Sequence, residues 1–324
     1  VLVRKPVGIE AAGSMNILFT DKTGTLTEGR MRVGQIILGD GTIFSSVRAL
    51  SKSQVYDSYL LSAIGNSSAL MGVSEGKRRA VGGNSTERAI LDSVLENERS
   101  LPSLSVIEKL PFDSERKFSS ALVAKRGERR LFIKGAPEKL MPFARFYLDE
   151  QGERRRLSSS RLEEYCRSLS REGKRLLLIA EANSYDADTA MQGRLCELCV
   201  ICLITLEDKI RKAAPTSVRR LRGAGIHVVM ITGDNKDTAE YIAKQCGIIG
   251  DGVDTVLTGA ELSAMSDARL KELLPRLGAV ARALPADKSR LVRLSQELEL
   301  VTGMTGDGIN DAPALKRADV GFSM

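Results

Sequence analysis

Asp21 opens the loop Asp21-Lys22-Thr23-Gly24-Thr25-Leu26-Thr27, directly after the apolar run Ile17-Leu18-Phe19-Thr20. A carboxylate at the tip of a buried strand is a candidate nucleophile, and its attack on a phosphoryl group gives an aspartyl phosphate. The N–H groups of Lys22 to Thr25 can cradle phosphate oxygens as backbone nests do. Taken alone, the same loop also reads as a polar turn. Phosphoryl transfer spreads negative charge and calls for a metal ion, a cation and hydrogen-bond donors. Asp307 and Asp311 stand four residues apart around Gly308-Ile309-Asn310. If a helix begins near Asn310, Asp307 lies in the loop before it, where a hard carboxylate suits Mg²⁺. Asp311 is open to two roles: binding the metal or its water, or capping the helix N-terminus. Asn310 can donate to a phosphate oxygen, and Thr232 and Gly233 add a hydroxyl and an N–H. Lys288, in Ala286-Asp287-Lys288-Ser289 near a helix start, can place a point charge on the phosphate. Without that context it reads as an exposed lysine.

These groups need a scaffold that brings distant segments to one place. Ile17–Thr20, Val228–Ile231 and Val301–Met304 are short apolar runs, each ending in a turn of Asp, Gly and Thr. Continuous apolar runs of this length suit strands buried on both faces, as in a parallel sheet. Helical patterns at Pro215–Ala224, Thr238–Cys246, Asp287–Glu299 and Asp311–Arg317 alternate with them. The expected architecture is a doubly wound α/β domain with its ligand outside the carboxyl ends of the strands. The first such unit ends near residue 27 and the next begins near 206. Between them, strand-like segments (33–38, 119–125, 130–134, 175–180, 198–206) mix with helical ones (54–67, 86–99, 158–172). Short turns such as Arg126-Gly127-Glu128 favour antiparallel pairing there. We therefore expect an α/β domain at 1–28 and 207–324, interrupted at 29–206 by an α+β domain that is entered and left through two adjacent hinge strands.

Composition removes several classes of function. Hydrophobic residues make up 43% and charged residues 27% of the 324, which excludes a disordered chain. Forty-eight Lys and Arg against 41 Asp and Glu give a formal charge of +7, suited to polyanions and equally to plain solubility. Aromatics are 4% and Trp is absent, so base-stacking platforms for nucleic acid are not expected. No apolar run reaches the ~18–20 residues needed to span a bilayer. Five cysteines do not make a disulfide scaffold. Cys196, Cys199 and Cys202 have metal-like spacing, but in an apolar strand residues three apart point to opposite faces, so they read as structural. His227, the single histidine, precedes a buried strand and is not expected to be catalytic. No G-x₄-G-K-[ST] loop exists, so this is not a P-loop enzyme. Both ends read as cuts in a longer chain.

Asp-Lys-Thr-Gly-Thr-Leu-Thr at 21–27, Thr-Gly-Asp-Asn at 232–235 and Thr-Gly-Asp-Gly-Ile-Asn-Asp at 305–311 resemble the phosphorylation-domain signatures of P-type cation-transporting ATPases. Lys134-Gly135-Ala136-Pro137-Glu138 resembles that family's nucleotide-domain signature. Four motifs in order across nearly the whole chain are a specific match. The resemblance implies a haloacid-dehalogenase-like Rossmannoid phosphorylation domain with an inserted nucleotide-binding domain. It makes Asp21 the phosphorylated nucleophile, with Mg²⁺ held by the Asp21 carboxylate, the Thr23 carbonyl, Asp307 and Asp311. Thr232, Lys288 and Asn310 would contact the phosphoryl group. Phe112 matches the aromatic that stacks on adenine, its bland alternative being an ordinary core Phe. Glu87 matches the adenine-side acid, and Lys117, Lys134 and Arg175 match cations of the ATP pocket, with Gly135 allowing close backbone approach. Gly233, Asp208, Asp234 and Arg282 match positions at the phosphate side and the domain junction.

Four departures and absences shape what the resemblance implies. In related phosphatases the second residue after the nucleophile is usually an acid–base Asp; here it is Thr23, which cannot readily activate water and so favours a longer-lived phosphoenzyme. The hinge reads Asp208-Lys209-Ile210-Arg211 where muscle calcium pumps have Asp-Pro-Pro-Arg, and Ser114 replaces an arginine. The Ser-Glu-His-Pro signature of heavy-metal pumps is absent. The implied protein is an ATP-driven cation pump at the cytoplasmic face of a membrane, the plasma membrane foremost. Ca²⁺ is its first candidate cargo and Mg²⁺ the next, moved through membrane helices outside this sequence. Its further partner would be an actuator domain; no nucleic-acid partner is expected, and the fragment is expected to be monomeric. Two rivals are a soluble phosphatase of the same superfamily, which Thr23 and the large insert disfavour, and a non-catalytic nucleotide-binding module, which the full set Asp21, Lys288, Asp307 and Asp311 disfavours.

Overall fold

The computed structural model describes residues 7–74, 76–306 and 311–323. The chain divides into two units, Val1–Arg30 with Asp208–Met324, and Met31–Glu207, against joints at 28/29 and 206/207 expected from the sequence.

In the first unit, six described strands form one parallel sheet. Their order is Thr255–Thr258, Leu277–Ala281, His227–Ile231, Ile17–Asp21, Thr302–Gly306, Val320–Ser323. Alternate residues enter two cores. Phe19, Val229, Ile231 and Met304 pack with Leu291 and Val292 of the helix Pro285–Gln296. Val228 and Met230 pack with Ala239 and Ile242 of the helix Lys236–Gln245. Filling both faces is why these runs carry no polar alternation. The chain leaves Ile17–Asp21 toward one flank and later crosses to the other, so this strand sits at the switch in strand order where open α/β sheets bind ligands. Register places Asp21 beside Ile231 and Phe19 beside Met304, so these three strands end on the same side of the sheet.

In the second unit the strands follow the order Arg154–Arg156, Ala144–Leu148, Leu198–Ile210, Arg175–Ala182, Glu128–Gly135, Phe118–Lys125, Ser105–Leu110. The pairs are antiparallel except Leu198–Ile210 with Ala144–Leu148. Thr27–Ile37 also pairs with Leu198–Ile210, so the entering and leaving segments do run side by side. The turn Arg126-Gly127 has both φ values positive (52° and 86°), the two-residue geometry that matches strand twist. Helices Tyr56–Gly65 and Ser85–Leu95 cover the face bearing Phe132 and Ile179; Ser159–Arg171 covers the face bearing Leu131 and Ile133.

Some local expectations change. Cys196 precedes the strand instead of lying in it, while Cys199 and Cys202 are within it. A bulge opposite Ile179 and Ala180 turns Ile201 and Cys202 into the same core. The helix expected at 86–99 stops at Leu95, and the last helix begins at Ala312, past Asn310 and Asp311. The hairpin Ala69–Ser74/Lys77–Gly82 was not foreseen. Among the described residues no helix is long and apolar enough to cross a membrane.

Candidate active site

Asp21 ends its strand, and the loop after it turns through Gly24 at φ 76°, a backbone that a residue with a Cβ adopts only with strain. Asp21 Oδ2 accepts from the Thr23 N–H at 3.2 Å, and the Asp21 N–H donates to Thr305 Oγ1 at 3.2 Å. Arg211 fixes the loop from outside: its Nη2 donates to the Gly24 carbonyl and its Nε to the Thr27 carbonyl, both at 2.9 Å. Asp208 receives Thr27 Oγ1 at 2.6 Å and the Arg30 N–H at 3.1 Å. Asp208 thus anchors the exit of this loop. Replacing it with Ala is expected to cost about 2 kcal/mol, the worth of a partly buried hydrogen bond to a charged group. A urea midpoint unchanged from the parent protein would contradict this.

Lys288 occupies the centre. Its Nζ lies 2.9 Å from Asp21 Oδ1 and 2.6 Å from Asp311 Oδ1. It sits in the first turn of Pro285–Gln296, where Pro285 needs no N–H partner. Burial raises the Asp21 carboxyl above the ordinary carboxylate range, against the downward pull of Lys288. Burial also works against the Lys288 charge, but the hydrogen bonds to Asp311 and Asp21 outweigh it and raise its pKa. Of the two roles open to Asp311, helix capping is ruled out. It holds the N-cap position of Ala312–Arg317 with no side-chain cap bond, because its carboxylate turns to Lys288 instead. Gly306 makes room for it: a Cβ there would stand 2.4 Å from Asp311 Oδ2.

Thr232 is buried, and its hydroxyl accepts from the Asp234 N–H at 3.2 Å. A Cβ on Gly233 would meet open space. Asp234 pairs with Lys22 at 2.8 Å, and its carbonyl accepts the Arg282 N–H at 2.8 Å. Arg282 has a left-handed backbone, φ 48°, a strained conformation of the kind that functional sites retain. The structure therefore gathers Asp21, Thr23, Lys288 and Asp311 around one point, with Thr232, Gly233 and Asp234 on the next strand end. Asp307 and Asn310 lie outside the described residues. Among those described, no three acidic, His or Cys side chains converge as metal ligands. Sequence reasoning missed the roles of Lys22, Thr305 and Gly306. All three sit inside the quoted motifs, so their place beside Asp21 and Asp311 was the available signal.

In the second unit Lys134 is buried, donates to the Asn66 carbonyl, and faces Glu87 at 3.7 Å. Glu87 is also structural. It completes a capping box with Asn84 at the start of Ser85–Leu95 and accepts the Ser68 N–H at 3.1 Å. Phe112 is 43% exposed, which removes the core-Phe alternative. Lys117 holds φ 61° and pairs with Glu138 at 3.2 Å. Gly135 does permit close approach, but of protein: a Cβ would lie 2.6 Å from the Lys117 carbonyl oxygen. Arg175 is exposed at the start of its strand.

A family model described as haloacid dehalogenase-like hydrolase matches residues 15–319. The chain is similar over its whole length to a plasma membrane-type calcium-transporting ATPase 3 of Oryza sativa subsp. japonica, at 34% identity and 33% of that protein's length. It is similar likewise to a calcium-transporting ATPase 1 of Lactococcus lactis subsp. lactis (33% identity, 37% of its length). A third relative is the plasma membrane calcium-transporting ATPase 3 of Homo sapiens (34% identity, 29% of its length). The chain thus spans roughly a third of the length of the relatives it matches.

Proposed function

We propose, for a chain that belongs to the haloacid dehalogenase-like hydrolase family, that its chemistry is ATP-dependent phosphorylation of Asp21 within a P-type cation pump of the calcium-transporting kind. The observation that carries this reading is Lys288 Nζ shared between Asp21 and Asp311 at the switch-point strand. An Asp21 carboxylate oxygen attacks the γ-phosphorus of ATP, forming the O–P bond as the bond to the β–γ bridging oxygen breaks and ADP leaves. Lys288 orients the carboxylate and offers positive charge to the phosphoryl oxygens. The N–H groups of the 22–25 loop and the Thr232 hydroxyl hold those oxygens. Thr23 supplies no base for water, so the acyl phosphate persists until other parts of a longer protein act on it.

The donor set suits Mg²⁺: Asp21 offers hard carboxylate oxygens, and burial leaves its charge in need of a cation. The Asp21 carboxylate and the Thr23 carbonyl would hold it, with Asp307 completing the set, while the Asp311 carboxylate stays on Lys288. Bound Mg²⁺ neutralises charge on the transferring phosphoryl group. In the longer protein, phosphorylation and dephosphorylation of Asp21 would drive cation transport, Ca²⁺ being the cargo named for the relatives. Beryllium fluoride tests the reading. With Mg²⁺ it is expected to bind stoichiometrically and to be lost in Asp21→Asn. Binding retained in that variant would remove Asp21 as the nucleophile, and rapid turnover of small phosphate esters would favour an ordinary phosphatase.

Nucleotide is proposed to bind the second unit through Phe112, Lys117, Lys134 and Arg175. Phe112→Ala is expected to weaken ATP binding by about 1–3 kcal/mol, the worth of one stacked base, with an unchanged calorimetric Kd as the contrary result. Burial, only partly offset by Glu87, lowers the Lys134 pKa to about 8. Its charge is present below that pH and lost above it. ATP affinity is therefore expected to fall as pH rises through that value, while a weaker Lys134→Gln variant responds flatly. Parallel pH profiles for the two proteins would remove Lys134 from the site.

A further inference from the structure

The second unit contains a cavity of about 950 Å³ between the segment 137–145 and the helix Ser159–Arg171; Pro137 and Glu138 of the signature 134–138 line it, but none of the residues assigned above to catalysis or to nucleotide contact does. It lies on the far side of the sheet from Lys134. Lys134 shares its strand face with Phe132, in one core, whereas the cavity's Met141 and Ala144 belong to the core of Leu131 and Ile133. Leu162 and Leu169 bury one stripe of the helix, and the neighbouring stripe, with Glu163, Cys166, Arg167 and Arg171, faces the cavity.

Its lining combines two chemistries. Met141, Leu157 and Leu176 give an aliphatic floor, with no aromatic side chain on which a base could stack. Around it stand Arg145, Arg156, Arg167 and Arg171 against two acids, Glu138 and Glu163. Glu138 is already engaged by Lys117 at 3.2 Å, and Arg145 donates to the carbonyls of Pro142 and Ala144. The side chains of Arg156, Arg167 and Arg171 make no ion pair or hydrogen bond among the described residues. Burial, with Glu163 and Glu138 nearby, pushes the Cys166 thiol up to about 11, so it stays neutral.

A volume within the range of small-molecule sites, a flexible Met in the floor and planar guanidinium forks suited to carboxylate or phosphate define one class of occupant. We propose that this cavity binds an amphipathic aliphatic anion: an acyl or alkyl chain on the floor, with its carboxylate or phosphate head held by Arg167, Arg171 and Arg156.

The test is calorimetry on the full chain with dodecanoate and dodecyl phosphate below their micelle-forming concentrations. Dodecyltrimethylammonium and inorganic phosphate are titrated in parallel. Saturable binding of one or both anionic amphiphiles at one per chain is expected, weakened at least tenfold in Arg167→Glu/Arg171→Glu and unchanged in the surface control Arg129→Glu. Which head group binds tighter distinguishes a fatty acid from an alkyl phosphate. Equal binding of the cationic amphiphile, equal binding of inorganic phosphate, no binding, or indifference to the double variant would each overturn the proposal. Both substituted arginines are exposed, so the variant keeps its core; an unchanged circular dichroism melt is the check.

Discussion

Asp21→Asn is expected to abolish incorporation of the γ-phosphate of ATP into the protein. Asn keeps the size of the side chain and one acceptor oxygen, enough for either Lys288 or the Thr23 N–H, but it has no anionic oxygen to attack phosphorus. ATP affinity is expected to stay within about twofold, because the groups proposed to bind the base and phosphates are untouched. Stability should not fall. The folded protein holds the Asp21 proton more tightly than the unfolded chain does, since burial raises its pKa. Such a carboxyl costs stability as pH rises through the ordinary carboxylate range, and Asn removes that cost at neutral pH. Radiolabel incorporation from γ-labelled ATP, read beside a thermal melt, separates loss of chemistry from loss of fold. Undiminished labelling would assign the nucleophile elsewhere.

Lys288→Met carries the second large effect. The parent ammonium lies within 2.9 Å of both Asp21 and Asp311, and all three residues are mostly shielded from solvent. Methionine keeps the volume and leaves two acids without a counter-charge. Removing one partner of a buried ionic cluster costs about 3–5 kcal/mol. The lower end, about 3 kcal/mol, is expected here because Asp21 keeps some solvent contact. The loss should be largest near neutral pH without Mg²⁺ and shrink as pH falls and the carboxyls take protons. Urea unfolding at several pH values measures it. A loss below about 1 kcal/mol at neutral pH would show that the two acids do not depend on this ammonium. Phosphorylation is expected to disappear in the same variant.

The site was legible where physics ties chemistry to strand ends. Asp21, Thr232 and Thr305 follow continuous apolar runs, and such runs imply a two-sided sheet whose carboxyl ends meet. What escaped was set by tertiary contact. The Lys22–Asp234 pair and the Arg211 clamp on Gly24 and Thr27 join residues some two hundred positions apart with no local pattern. Gly135 was legible as a demand for close approach, but the partner, the Lys117 carbonyl, follows only from the register of two strands. The capping box was readable in principle, since Asn84 and Glu87 have its spacing. The hairpin 69–82 shows little alternation and exposes Leu70 and Val73, so periodicity offered no handle.

The central claim is a covalent bond at one side chain. Quenching a brief reaction with MgATP in acid, reducing it with borohydride and sequencing the peptides by mass spectrometry tests it directly, because borohydride converts an aspartyl phosphate to homoserine. The account predicts homoserine at position 21, dependent on ATP and Mg²⁺ and absent without either. Unmodified aspartate at that position, with label recovered on another residue, would contradict it.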